Sequence, residues 1–253
     1  PREDVLDGTL QEDQFAASLS AVAHAPDDAP PVYRDANQFF EMTYPTDGLR
    51  TLLGNLAGRF LEASDVMETP YSSSILCLDT RFGGGKTHDL IASYHLASDP
   101  SKIANLDRIV RGRDEELLAQ YRDAASNGLS VDTAVFVGGN VDGQNARSDR
   151  NDPNAPNTQT MWGEIAYQLY GLDGYEILKE YDQNRQPPGE NALKDLFDLA
   201  DGPALVLIDE IAAYLSAADA VDVGNKTLGD LTLNFMLSLL ETASETEELS
   251  VVY

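Results

Sequence analysis

Residues 76–95 read Leu76-Cys77-Leu78-Asp79-Thr80-Arg81-Phe82-Gly83-Gly84-Gly85-Lys86-Thr87-His88-Asp89-Leu90-Ile91-Ala92-Ser93-Tyr94-His95. The stretch predicts a short buried strand carrying Cys77, a glycine-rich turn and then a helix. Three consecutive glycines let the backbone bend tightly and bring its N–H groups close to anionic oxygens. The helix that follows aims its positive end at the same point. Lys86 has the reach to touch terminal phosphates, and the Thr87 hydroxyl suits a place on Mg²⁺.

The match to the P-loop pattern departs at one position. The pattern asks for a glycine five residues before Gly85, and Thr80 stands there. Threonine disfavours positive φ, so the start of the turn is expected to wind differently. A bare Gly-Lys-Thr is common, and a ligand-free strand–helix connection is the competing reading. A second motif weighs against it. Pro203-Ala204-Leu205-Val206-Leu207-Ile208-Asp209-Glu210 is an apolar run ending in two acids. A run without alternation suits a central parallel strand buried on both faces. Acids at its C-terminal end emerge at the sheet edge where ligands sit in open α/β folds. Asp209 is then placed to coordinate Mg²⁺, directly or through water. Glu210 is placed to polarise the water that attacks a γ-phosphate. The rival for this pair is a solvated acidic strand end.

The chain has 253 residues, enough for one large domain or two small ones. It begins at Pro1 and stops at Tyr253 inside an apolar run, and is read as a fragment of something longer. No signal peptide is recognisable, and no apolar stretch approaches the ~18 residues a bilayer span needs. One cysteine excludes a disulfide framework within the chain and fits a reducing cytoplasm. Forty-three acidic residues against 17 basic ones give a net charge of −26, and the acids are scattered along the chain. A hydrophobic content of 42% argues against disorder. The composition instead predicts an acid-coated globular domain suited to high salt, where repulsion is screened over ~3 Å at 1 M. It is similar to haloarchaeal proteins. In such a protein surface acidity reports the solvent and no longer argues against a nucleic-acid partner.

Phe15, Leu19 and Val22 recur at helical spacing in an N-terminal arm. A Pro-rich linker follows at 25–31. Phe39, Phe40, Tyr44 and Pro45 precede a helix over 49–63, and they read either as part of an adenine pocket or as an aromatic core plug. Helical segments are expected near 102–110 and 113–126, then a strand over 131–137 that stops at Gly138-Gly139. Residues 139–158 form a long polar loop. Its Asp149, Asn151, Asp152 and Asn154 invite a Ca²⁺ reading, but the EF-hand order is missing, and a mobile insertion is favoured. An amphipathic helix over 161–172 carries Trp162, read as core. Helices near 177–181 and 192–199 follow. Beyond the acidic pair come a helix over 211–217, a polar loop over 220–226, an apolar helix over 228–242 and a strand from 249.

Four segments in this order, Phe39-Phe40-Glu41-Met42-Thr43-Tyr44-Pro45-Thr46, Phe82 to His88, Trp162 to Leu169 and Leu207 to Ile211, resemble a family of large prokaryotic AAA-like ATPases defined by a domain of unknown function. Members of that family resemble an ATPase of anti-phage defence islands. The resemblance covers residues 5–253. It implies a three-layer α/β P-loop NTPase core with a parallel sheet, an N-terminal helical arm and helical insertions. Residues 1–40 are then arm and linker, and 41–253 are the ATPase core, cut before its sensor and lid. Arg81, Phe82, Gly83, Gly84, Gly85, Lys86, Thr87, His88 and Tyr44 are expected to contact ATP. Thr87 and Asp209 are expected on Mg²⁺, with Glu210 and Lys86 catalytic. The implied partners are DNA or defence-system proteins and further copies of the chain, in the cytoplasm and without a membrane. The rival reading is a nucleotide-dependent switch or scaffold with little or no turnover. An ABC-type ATPase is disfavoured because no Leu-Ser-Gly-Gly-Gln-like signature follows the turn. A small-molecule kinase is disfavoured because no short arginine-bearing lid is recognisable.

Overall fold

The computed structural model describes residues 17–67, 72–79, 85–98, 100, 113–147, 153 and 155–253. In chain order its elements are α1 (Leu19–His24), α2 (Pro31–Arg34), α3 (Ala36–Met42), α4 (Asp47–Glu62), β1 (Ile75–Leu76), α5 (Lys86–Ser98), α6 (Arg113–Ser126), β2 (Asp132–Val137), α7 (Met161–Gln183), α8 (Glu190–Phe197), β3 (Ala204–Asp209), α9 (Ile211–Ala218), β4 (Asp222–Val223), β5 (Lys226–Thr227), α10 (Leu228–Glu245) and β6 (Leu249–Val252). Phe15 of the expected arm, the expected helix at 102–110 and Asp149, Asn151, Asp152 and Asn154 lie outside the described residues.

Four strands form one parallel sheet in the order β1-β6-β3-β2. β3 is central. Its register runs Ala204 to Asp132 and Asp209 to Val137 on one side, and Ala204 to Leu249 on the other. Successive residues of a strand face opposite ways, and here both faces are covered. Leu205 and Leu207 join Val135, Val137 and Val252 in a core shared with α1, α3, α4, α5 and α6. Ala204, Val206 and Ile208 join Ala134, Phe136, Leu249 and Val251 in a second core under α7, α8, α9 and α10. The unbroken apolar run of β3 thus feeds two cores. Burial of each large side chain in it contributes ~1.5–3 kcal/mol.

The sheet departs from the sequence expectation at β1. Ile75 and Leu76 are only half-buried and Cys77 is exposed, where a buried strand was expected. Among the described residues β1 pairs with β6 alone and lies at the sheet margin, so its side chains lack a neighbour on one side. The loop expected at 220–226 holds a two-strand antiparallel hairpin, Asp222 to Thr227 and Val223 to Lys226. Strands of two residues carry no alternation for periodicity to detect.

α4 begins at Thr46, whose side chain accepts from the Leu49 N–H, and ten of its residues are buried. One of them is Arg59. Its Nη2 donates to the Thr246 and Glu247 carbonyls at 3.0 and 2.6 Å, and its Nη1 pairs with Glu62 at 3.3 Å. The guanidinium therefore ties α4 to the turn that launches β6. α10 starts with a reciprocal capping box between Thr227 and Asp230.

α7 is a helical hairpin. Tyr170 (φ −131°, ψ 22°) and Gly171 (φ 61°, ψ −143°) leave helical geometry, and the positive φ suits glycine. The second half folds back so that Asp182 caps the start of the first. Asp182 Oδ1 accepts from the Thr160 N–H (2.9 Å), the Thr160 hydroxyl (2.6 Å) and the Gln159 N–H (3.0 Å), and Oδ2 accepts from the Tyr175 hydroxyl (3.0 Å). Burial pushes the Asp182 carboxyl above its usual range, a rise that these donors oppose without cancelling. Trp162 is fully buried against Phe235, ring centres 5.5 Å apart. Among the described residues no helix is long and apolar enough to cross a membrane.

Candidate functional site

The parallel sheet places the ends of β1 and β3 on the same edge, and that edge brings the two sequence motifs together. Gly85 takes φ +88°, which suits glycine, and its carbonyl accepts the Asp89 N–H at 2.9 Å, so the helical bonding of α5 starts there. Lys86, the first residue of α5, is exposed. Thr87 Oγ1 donates to Asp209 Oδ2 at 2.8 Å, across 122 residues of sequence. Asp209 Oδ1 accepts the Glu210 N–H at 2.9 Å. Both carboxylate oxygens of Asp209 are thereby oriented, one toward Thr87 in the first turn of α5 and one toward the Glu210 N–H. Thr80, Arg81, Phe82, Gly83 and Gly84 lie outside the described residues.

Glu210 sits in the left-handed region, φ 50° and ψ 34°. For a residue with a side chain this conformation costs of order 1–3 kcal/mol and is characteristic of functional sites. It is the N-cap residue of α9, yet its side chain makes no capping hydrogen bond. The carboxylate is exposed and lies against the Gly138–Asn140 turn that ends β2. Sequence reasoning read Gly138-Gly139 only as a strand stop. The contact depends on β2 lying beside β3, which no local pattern encodes.

His88, expected to contact nucleotide, is half-buried with its ring packed on α3. Its ring lies 4.4 Å from that of Phe39, and its Nε2 is 2.9 Å from Thr43 Oγ1. The Thr43 hydroxyl spends its proton on the Phe39 carbonyl at 2.7 Å, so His88 Nε2 is the donor. Burial lowers the His88 pKa by disfavouring the charged ring. Thr43, not singled out in the sequence, thus anchors the Tyr44-Pro45 turn to the first turn of α5. Tyr44 is 82% exposed, free to stack on a planar ligand, whereas Phe39 and Phe40 are buried to 1% and are core. One turn into α5, burial pushes the Asp89 carboxyl up to about 6.

The chain matches the DUF499 N-terminal domain family over residues 1–253. It belongs to that family. No curated protein and no solved structure matches it. Among the described residues no group of three or more His, Cys, Asp or Glu side chains can hold a metal ion. The oxygens of Thr87 and Asp209 suit a different arrangement. Mg²⁺ takes hard oxygen ligands, keeps several waters, and is commonly held by one or two protein oxygens together with substrate phosphates.

Proposed function

We propose that this DUF499 domain is a P-loop NTPase domain of AAA-like type that binds and hydrolyses Mg·ATP. The observation that carries the reading is the Thr87–Asp209 hydrogen bond. It joins the first turn of α5, which begins at the exposed Lys86, to the acid that ends the central strand, the pairing a Mg·nucleotide site uses. Thr87 and Asp209 would hold the magnesium ion, which supplies charge neutralisation at the phosphates. Backbone N–H groups at the start of α5 and the Lys86 ammonium favour anionic oxygens at the same edge. Tyr44 offers a stacking face for the base, on a turn that Thr43 holds to α5. Glu210 takes a proton from the attacking water as the water oxygen bonds the γ-phosphorus and the bond to the ADP oxygen breaks. Its carboxylate accepts no hydrogen bond from a described residue and is free for that role. The resemblance suggests work on DNA or a defence-system protein, performed by an assembled homo-oligomer.

Phosphate release from Mg·ATP in molar KCl, with and without duplex DNA, tests the reading. Turnover by the chain, reduced to background in Lys86→Ala, is the expected result. ATP bound without turnover would favour a nucleotide-dependent switch instead. Absence of ATP binding would overturn the assignment altogether.

A further inference from the structure

Glu210 is held by an unusual neighbour. A Cβ added to Gly139 would overlap Glu210 Oε2 and stand 3.2 Å from its Cδ. The Glu210 carboxylate therefore occupies the space that a side chain on residue 139 would fill. The segment from Gly138 to Gly143 is itself packed against the α9 end of the fold at two points. At Gly138 a Cβ would overlap the Glu210 carbonyl oxygen and come within 2.9 Å of Tyr214 Cβ, and at Gly143 it would stand 2.6 Å from the Ala217 carbonyl oxygen. Tyr214 is fully buried, with its ring edge-on to Phe136 of β2 at 5.0 Å. Glu210 is thus held along its backbone, in a left-handed conformation, while its exposed carboxylate rests against Gly139 on one side.

Building on the hydrolysis reading, we infer that Gly139 is a positioning residue: its missing side chain sets where the Glu210 carboxylate stands, and hence where the attacking water is activated. Gly138 and Gly139 differ in what they meet. A methyl on Gly138 strikes backbone and would force the β2–α9 packing apart. A methyl on Gly139 strikes only the far end of one flexible side chain. Gly139 is exposed and is not in the positive-φ region, so alanine fits its backbone.

The test is a double-mutant cycle of Gly139→Ala and Glu210→Asp, read by kcat, ATP dissociation constant and melting temperature. Gly139→Ala is expected to lower kcat about 100-fold, the cost of displacing a reacting group by about an ångström. Its ATP affinity and melting temperature stay at wild-type values. Glu210→Asp withdraws the carboxylate by one methylene and vacates the contested space. The double variant is therefore expected to be no slower than Glu210→Asp alone, a non-additivity that marks direct contact. A Gly139→Ala enzyme with wild-type kcat, losses that multiply in the double variant, or a fall in melting temperature that accounts for the lost rate would each overturn the positioning role. Failure of the underlying reading looks different: the wild-type chain itself releases no phosphate, and both proposals fall together.

Discussion

Glu210→Gln is expected to bind ATP as the wild type does and to lose hydrolysis by a factor of about 10² to 10⁴, the usual contribution of a positioned general base. The amide matches the carboxylate in length and shape, so it still rests on the Gly138–Asn140 turn. It leaves the Asp209 contacts untouched, because those involve Thr87 Oγ1 and the backbone N–H of residue 210. What disappears is the oxygen that accepts the water's proton. Single-turnover phosphate release beside an equilibrium ATP titration separates the two steps. Equal loss of binding and turnover would assign Glu210 to nucleotide contact, and wild-type turnover would remove it from the chemistry.

The second large effect concerns stability. Asp182→Ala should cost about 3 kcal/mol or more, since it strands the Gln159 and Thr160 N–H groups and two hydroxyls beside a buried helix start. For a domain of this size that loss lowers the melting temperature by roughly 6–12 °C. Asp182→Asn should cost far less. Its carbonyl keeps the Thr160 donors, and the Tyr175 hydroxyl can turn to accept from the amide. The raised Asp182 pKa points the same way, because a carboxyl that burial drives toward its neutral form is well imitated by an amide. Thermal melts of the two variants decide the matter. Equal and small losses would show that the fold-back of α7 does not depend on this cap.

The contrast between these positions shows where the sequence was informative. The unbroken apolar run at 204–208 announced a central strand, because burial on both faces leaves no reason to alternate. Thr87 and Asp209 were legible as partners from their chemistry and from the elements that carry them. Glu210's seat was not, because it depends on which strand lies next to β3. The same limit hid the fold-back at Gly171: separate helices over 161–172 and near 177–181 were expected, but the contact that closes them into a hairpin joins Asp182 to Thr160. β1 shows the converse error. Ile75, Leu76, Cys77 and Leu78 read as buried by composition, yet burial of a strand depends on its neighbours, and β1 pairs only with β6 among the described residues. His88 was singled out by its adjacency to Lys86 and Thr87, and no local pattern encoded the packing of its ring on Phe39 and Thr43, which ties α5 to the Tyr44 turn.

In the proposed Mg·nucleotide site, Thr87 and Asp209 are two ligands of one magnesium ion. Titration of ATP into the wild-type chain and into Asp209→Ala, each with and without Mg²⁺, tests it most directly. Mg²⁺ should tighten ATP binding in the wild type and make little difference in Asp209→Ala. An identical Mg²⁺ effect in both proteins, or no saturable ATP binding in either, would contradict the account.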